Sequence, residues 1–330
     1  MQLLLDTHGL VVKVRNRAFH ITGKNARRQI GPEGLTSIAV TADCLFSTAA
    51  LRLAIGHGIP VYLLGPTGRV EGKLWSPHFV GLAEMRRAQA LWIELGAHRD
   101  WLPALALKKM RRQIALLATL PGTEPAQVEM NDSVRQLSAL AAGSAGAEAL
   151  RQSILGLEGT AARAYWPALS AQLPPDWRFA ERSRRPAKDP FNAALNYLYG
   201  MLYPAVEAAI FAVGLDPYMG VLHAEEYDRP ALAFDLIEPF RPWVDGLLLD
   251  LCQSGRLDTR QFDLRDGGFL AGQAARQILI PAFNDFLLSE RAAAEGEPST
   301  TVRNHLMAFA GSLTDDIENW YRDRPAAAAP

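Results

Sequence analysis

Over its first 75 or so residues the chain alternates apolar and polar positions with a period of two, the mark of half-buried strands. Val12 and Val14 alternate with Lys13 and Arg15, and Phe19 and Ile21 flank His20, across a polar Arg-Asn-Arg turn. Another alternating run covers residues 35–41 (LTSIAVT). Residues 59–75 (IPVYLLGPTGRVEGKLW) read as a hairpin turning at Gly-Pro-Thr-Gly. One short helix interrupts the strands: STAALRLAIGHG offers Ser47 as N-cap and Gly56 or Gly58 as the stop.

From about residue 79 the period lengthens to that of a helix, and Ala, Leu, Arg and Glu dominate. PGTEPAQ (121–127), LPPDW (173–177) and GLDPYMG (214–220) punctuate this half as loops between helices. The pattern predicts an α+β chain: a small β-rich, sandwich-like domain over residues 1–78 and a large α-helical domain over 79–330. The last stretch, RDRPAAAAP (322–330), has nothing to pack and is read as a disordered tail. No internal repeat at solenoid spacing is visible.

Composition narrows the classes. With 49% hydrophobic and 21% charged residues, the chain reads as a soluble globular protein long enough for a full core. Its formal net charge of −1 excludes a protein that is basic throughout, so any nucleic-acid contact must rest on a local gathering of cations. Two distant cysteines, Cys44 and Cys252, make no disulfide framework or Cys-rich zinc pattern and fit a reducing cytoplasm. The start, MQLLLDTHGL, is not patterned as a signal peptide. The nearest approach to a membrane span, residues 197–215, is broken by Pro204 and Glu207 and is expected to be a buried core helix.

Three places carry charge where apolar side chains would be expected. In the helix predicted over 147–166, Leu150, Ile154, Glu158, Ala162 and Tyr165 share one face, which puts Glu158 on the core stripe. A carboxylate there must be paired, for instance with Arg163, or metal-bound. In LAFDLIEPFRP (232–242), Asp235 and Glu238 share a face if the segment is helical. Pro239 and Pro242 demand a helix start or an irregular segment there. A helix dipole, or Arg241 pairing with Glu238, explains these acids without further function. His223, on the loop after GLDPYMG, matters only if Glu158 and Glu238 converge on it. Oxygen ligands with one imidazole suit Mg²⁺ or Mn²⁺ rather than zinc.

The basic stretch DWRFAERSRRPAKDP (176–190) gathers Arg178, Arg182, Arg184, Arg185 and Lys188 around one internal acid, Glu181, with Trp177 and Phe179 alongside. It suits either phosphate contacts with room for stacking or a solvated loop. KKMRR (108–112) is a weaker basic patch on a helix. No phosphate-binding glycine loop, dinucleotide fingerprint, nucleophile elbow or paired-histidine zinc motif is present.

LEGTAARAYW, RRPAKDPFNAALNYLYGMLY, GLDPYMGVLH and RPALAFDLIEPFRPWVD follow one another in this order over residues 157–245. In these motifs the chain resembles the universal CRISPR-associated adaptation integrase, a metal-dependent DNA endonuclease that inserts spacers into CRISPR arrays. The β-then-α layout extends the likeness more loosely to the whole chain. The resemblance implies metal ligands at Glu158, His223 and Glu238, with Asp235 adjoining, and Glu238 standing where many relatives carry Asp. It implies Mg²⁺ or Mn²⁺ as cofactor, double-stranded DNA (protospacer and repeat) as substrate, and a homodimer. It also implies a small ferredoxin-like partner, the second universal CRISPR-associated protein. The reaction would be attack of a DNA 3′-hydroxyl on a phosphodiester. A transposon integrase of the same fold, a general metal-dependent nuclease and a helical scaffold are the competing readings. Arg178, Arg184, Arg185 and Lys188 are candidates for the DNA backbone. Tyr165 and Tyr197 could meet a DNA end, although helix packing suits each better.

Overall fold

Among the described residues, eight strands form in the N-terminal region, and in β2 and β3 Val, Phe and Ile recur at every second position. The structure is a computed structural model that describes residues 2–24, 27–35, 37–64, 70–74, 82–223, 230–292 and 299–324. β1 (Gln2–Leu5), β2 (Leu10–Arg15), β3 (Ala18–Thr22), β4 (Arg27–Ile30), β5 (Ser37–Val40), β6 (Cys44–Phe46), β7 (Val61–Leu64) and β8 (Val70–Leu74) divide between two four-stranded sheets. One has the order β1-β5-β7-β8 and the other β4-β3-β2-β6. The β2–β3 hairpin closes through Asn16 and Arg17, both at positive φ (52° and 55°), as a two-residue turn between right-twisted strands requires. Leu3, Leu5, Val12, Phe19, Ile21, Ile38, Val40 and Val61 fill one core between the sheets. α1 (Thr48–Gly56) has the expected cap: the Ser47 hydroxyl accepts the Ala50 N–H at 3.2 Å.

The reading of residues 35–41 needs adjusting. β5 does not alternate, because all four of its residues are buried. Ile38 and Val40 face the other sheet, while Ala39 joins Tyr62 and Leu64 on the opposite face, where the Tyr62 hydroxyl donates to the Pro204 carbonyl of the helical half at 3.3 Å. A strand covered on both sides loses its polar face. β7 and β8 pair antiparallel as a hairpin, but its Gly-Pro-Thr-Gly turn lies outside the described residues, as does the 78/79 boundary.

The helical half comprises α2 (Leu82–Glu94), α3 (Trp101–Leu117), α4 (Glu124–Ala141), α5 (Ala147–Ala171), α6 (Pro190–Ala212), α7 (Ala231–Ile237), α8 (Arg241–Gln253), α9 (Gln273–Leu288) and α10 (Val302–Asp323). Part of the expected loop 121–127 is already the first turn of α4, entered through Pro125. The C-terminal helix runs to Asp323, past the expected start of the tail, and residues 325–330 lie outside the description. α6 is buried nearly all round, so residues 197–215 belong to the core; its Glu207 is paired with Lys73 of β8 at 3.0 Å. Among the described residues, no helix is long and apolar enough to cross a membrane.

Candidate functional site

Three helices and one loop bring the predicted acids together. α5 buries Leu150, Ile154, Ala161 and Tyr165, and Glu158 falls at the margin of that stripe with its side chain 10% exposed. α7 continues through a 3₁₀ turn (Glu238–Phe240) into α8, so Asp235 and Glu238 lie within one helical run that Pro239 and Pro242 interrupt without breaking. Lys109 of α3 joins the two glutamates: its Nζ is 3.0 Å from Glu158 Oε1 and 2.7 Å from Glu238 Oε2. The second oxygen of Glu238 meets Arg241 Nη1 at 2.6 Å, the pairing already legible in the i, i+3 spacing. Glu238 is fully buried. Burial alone would raise its pKa, but Arg241, Lys109 and His223 outweigh it and hold the carboxyl down at about 2.

Asp235 does a different job. It is fully buried and accepts the backbone N–H groups of Val221, Leu222 and His223 at 2.7, 3.0 and 3.0 Å. The same carboxylate receives His223 Nδ1 at 2.8 Å. With Nδ1 donating to an acceptor-only carboxylate, Nε2 is the ring atom left to take a cation. Burial would lower the His223 pKa, but the Asp235 hydrogen bond and the charges of Glu238 and Asp235 raise it overall. The loop is pinned from above by Arg151 of α5, whose Nη1 donates to the Leu222 carbonyl at 3.1 Å. It is also pressed onto α7 at Gly220, where a Cβ would lie 2.4 Å from the Ala231 carbonyl carbon. Arg112, one turn beyond Lys109, fixes the 3₁₀ turn through the Pro239 carbonyl at 2.9 Å.

Beside these acids lies a cavity of about 100 Å³ lined by Lys109, Glu158, Trp166, Arg182, Arg184, Tyr199, Arg241 and Asp245, among others. Asp245 is buried and accepts hydroxyl donations from Tyr165 (2.7 Å) and Tyr199 (2.5 Å). The basic stretch reaches the cavity through Arg182 and Arg184 and is clamped to α6. Arg182 donates to Asn192 and Asn196 at 2.8 and 2.6 Å, and Asn196 donates to the Arg184 carbonyl at 2.7 Å.

The other candidates fare unevenly. Arg185 is exposed, while Lys188 is exposed but paired with Glu181. Arg178 donates to the Leu173 and Ala171 carbonyls at the end of α5, a capping duty. Trp177 and Phe179 are buried against Phe262 and Phe191, so they offer no stacking surface. Tyr165 and Tyr197 are buried in the packing of the helices, and Tyr165 also donates to Asp245. Arg163 is not the partner of Glu158; it donates to Thr160 at 3.0 Å. Among the described residues, no three His, Cys, Asp or Glu side chains are gathered closely enough to hold a metal ion, and Lys109 stands between the two glutamates.

A family model described as CRISPR associated protein Cas1 matches residues 3–285. The chain belongs to the Cas1 family. It is 30% identical over 312 residues to CRISPR-associated endonuclease Cas1 1 of Archaeoglobus fulgidus, spanning 88% of this chain and 89% of that one. A solved casposase bound to integration product aligns with a TM-score of 0.83 at 23% identity, over 96% of this chain and 90% of that one. A solved Cas1 protein from Thermotoga maritima gives 0.81 at 19% identity, over 96% and 97%. At those identities the structural likeness establishes the fold: an α+β chain with a β-rich N-terminal region and a large helical remainder.

Within this Cas1 frame, sequence reasoning missed Lys109, Tyr199 and Asp245 as parts of the site. Lys109 sat inside KKMRR as a basic patch, with no signal of acids 49 and 129 positions away. A buried Asp245 could have been suspected from its place beside Val244 on the apolar face of α8.

Proposed function

We propose that this Cas1-family chain is a metal-dependent DNA endonuclease and integrase that joins a DNA 3′-hydroxyl to a phosphodiester of a CRISPR repeat. The observation that carries the reading is the convergence of Glu158 and Glu238, 80 positions apart in sequence, on one cation, the Lys109 ammonium. A pair of carboxylates that already attracts a cation, with an imidazole oriented through its other nitrogen, is by its chemistry a donor set for Mg²⁺ or Mn²⁺, which would have to draw these side chains closer than they lie here. Glu158, His223 and Glu238 would hold that ion. Once bound, it supplies polarisation of the phosphodiester and a lowered pKa for an attacking hydroxyl.

The chain's own residues do the rest. Asp235 orients the imidazole and, by taking three backbone N–H groups, keeps the loop rigid. Arg241 neutralises the inner oxygen of Glu238 and borders the cavity, where Arg182 and Arg184 supply positive charge for a phosphate. None of these steps needs a covalent protein intermediate. The resemblance to the adaptation integrase further supports a homodimer, double-stranded DNA as substrate, a small ferredoxin-like partner and a cytoplasmic setting. It also favours dividing the chain near residue 78, with the β-rich part pairing and the helical part catalysing.

The test is a gel assay with purified protein, supercoiled DNA and an oligonucleotide bearing a free 3′-hydroxyl, run with Mn²⁺ or Mg²⁺ and with the partner protein present. Joined products are expected, and Glu158→Ala and His223→Ala are each expected to abolish them while circular dichroism stays native. Nicking alone would favour a general nuclease. Silence with every metal would favour a scaffold.

A further inference from the structure

The oxygens that a divalent ion would seek, Glu158 Oε1 and Glu238 Oε2, both lie on the same ammonium, at 3.0 and 2.7 Å. The remaining oxygen of Glu238 is taken by Arg241, so both glutamates are paired with cations of the protein itself. Arginine is suited to hold a fixed geometry, whereas lysine is a compact charge on a flexible four-carbon stem. Lys109 has somewhere to go, because its side chain also lines the cavity of about 100 Å³ next to Glu158. Arg241 and Arg112, by contrast, are held on Glu238 and on the Pro239 carbonyl.

Resting on the ligand reading above, we propose that Lys109 is an internal counter-ion that stands in for the divalent cation between Glu158 and Glu238. The cation then binds only by displacing the ammonium, and Lys109 sets the cation affinity of the site. Two physical consequences follow. Without metal, the ammonium relieves the repulsion of two carboxylates held a few ångströms apart in a low-dielectric setting. With metal, it is a competitor, so the apparent affinity falls by the strength of its own pairing. The opposite role, a brace that keeps the ligands aligned, would make its removal weaken metal binding.

The test is titration calorimetry of MnCl₂ into the metal-free full-length protein at near-neutral pH, with thermal melts in chelator and in Mn²⁺. Lys109→Met removes the charge. Lys109→Gln removes it but keeps a polar hydrogen-bond donor on a shorter stem, which guards against a variant that fails to fold. Both are expected to bind Mn²⁺ tighter by about tenfold or more, to melt lower in chelator, and to gain more from Mn²⁺ than the parent. Unchanged or weaker Mn²⁺ binding in both would overturn the counter-ion role. His223→Ala separates the two claims. If it loses Mn²⁺ binding while the Lys109 variants show no gain, this inference alone fails; if it binds undiminished, the ligand reading fails and this inference with it.

Discussion

Asp245 shows how a single residue can carry a pH signature. Burial pushes its carboxyl up to about 6, against the pull of the Tyr199 and Tyr165 hydroxyls and of Arg182 and Arg241. A carboxyl whose folded pKa lies above the unfolded value of 3.8 favours the fold when protonated. Its contribution is complete below the unfolded value and is lost as pH rises through about 6. Asp245→Asn is fixed in the neutral form, so its stability relative to the parent is expected to improve between about pH 4 and about pH 7. The gain should be on the order of 3 kcal/mol. Denaturant melts across that range check it, and a flat difference would contradict it. At this scale the sequence marked which residues were out of place, and it gave a contact only within one segment, the Glu238–Arg241 pair. Glu158 was legible as a charge on an apolar stripe. Its partner was not, because Lys109 lies on another helix and a nearer cation, Arg163, was the natural guess.

The elements were legible where period and punctuation agreed. Ser47 capped its helix, and α5 ran where its stripe placed it, five residues longer than drawn. The failures came from tertiary cover that no local pattern records. β5 is buried on both faces because α6 lies behind its sheet, and Trp177 and Phe179 turn inward from a stretch whose charges suggested a DNA face. The loop of residues 220–223 is the element on which the site depends most. Gly220 sits against the backbone at the start of α7, with the Leu232 nitrogen 2.6 Å from where a Cβ would be. Gly220→Ala is expected to push the His223 loop off α7, to cost about 1–3 kcal/mol, and to weaken Mn²⁺ binding. Chemical denaturation and calorimetry read both, and parent-like values for each would show that the loop position is unimportant to the site.

Across the whole molecule, the sheet β1-β5-β7-β8 rests on α6, and the junction contains a buried charge pair. Glu207 is 2% exposed at its side chain and meets Lys73 at 3.0 Å. Burial raises its pKa despite Lys73. Lys73→Met would leave this carboxylate buried without its lysine, and a loss on the order of 3 kcal/mol is expected. Because a raised pKa favours the protonated fold, that loss should shrink on acidification and grow toward alkaline pH. A pH-independent loss would point to packing alone. The division into a strand half and a helical half was readable from the change of period, and the likeness to the Cas1 family from four motifs in order. That those motifs meet was implied by the likeness and not by the period, and the part of α3 was not readable at all, since none of the motifs includes Lys109. Crystals of the metal-free protein soaked in Mn²⁺, with anomalous diffraction recorded, test the central claim most directly. A single strong peak touching Glu158, His223 and Glu238, with Lys109 moved away, is the expected result. A peak elsewhere, or none at saturating Mn²⁺ with the lysine still bridging the glutamates, would contradict it.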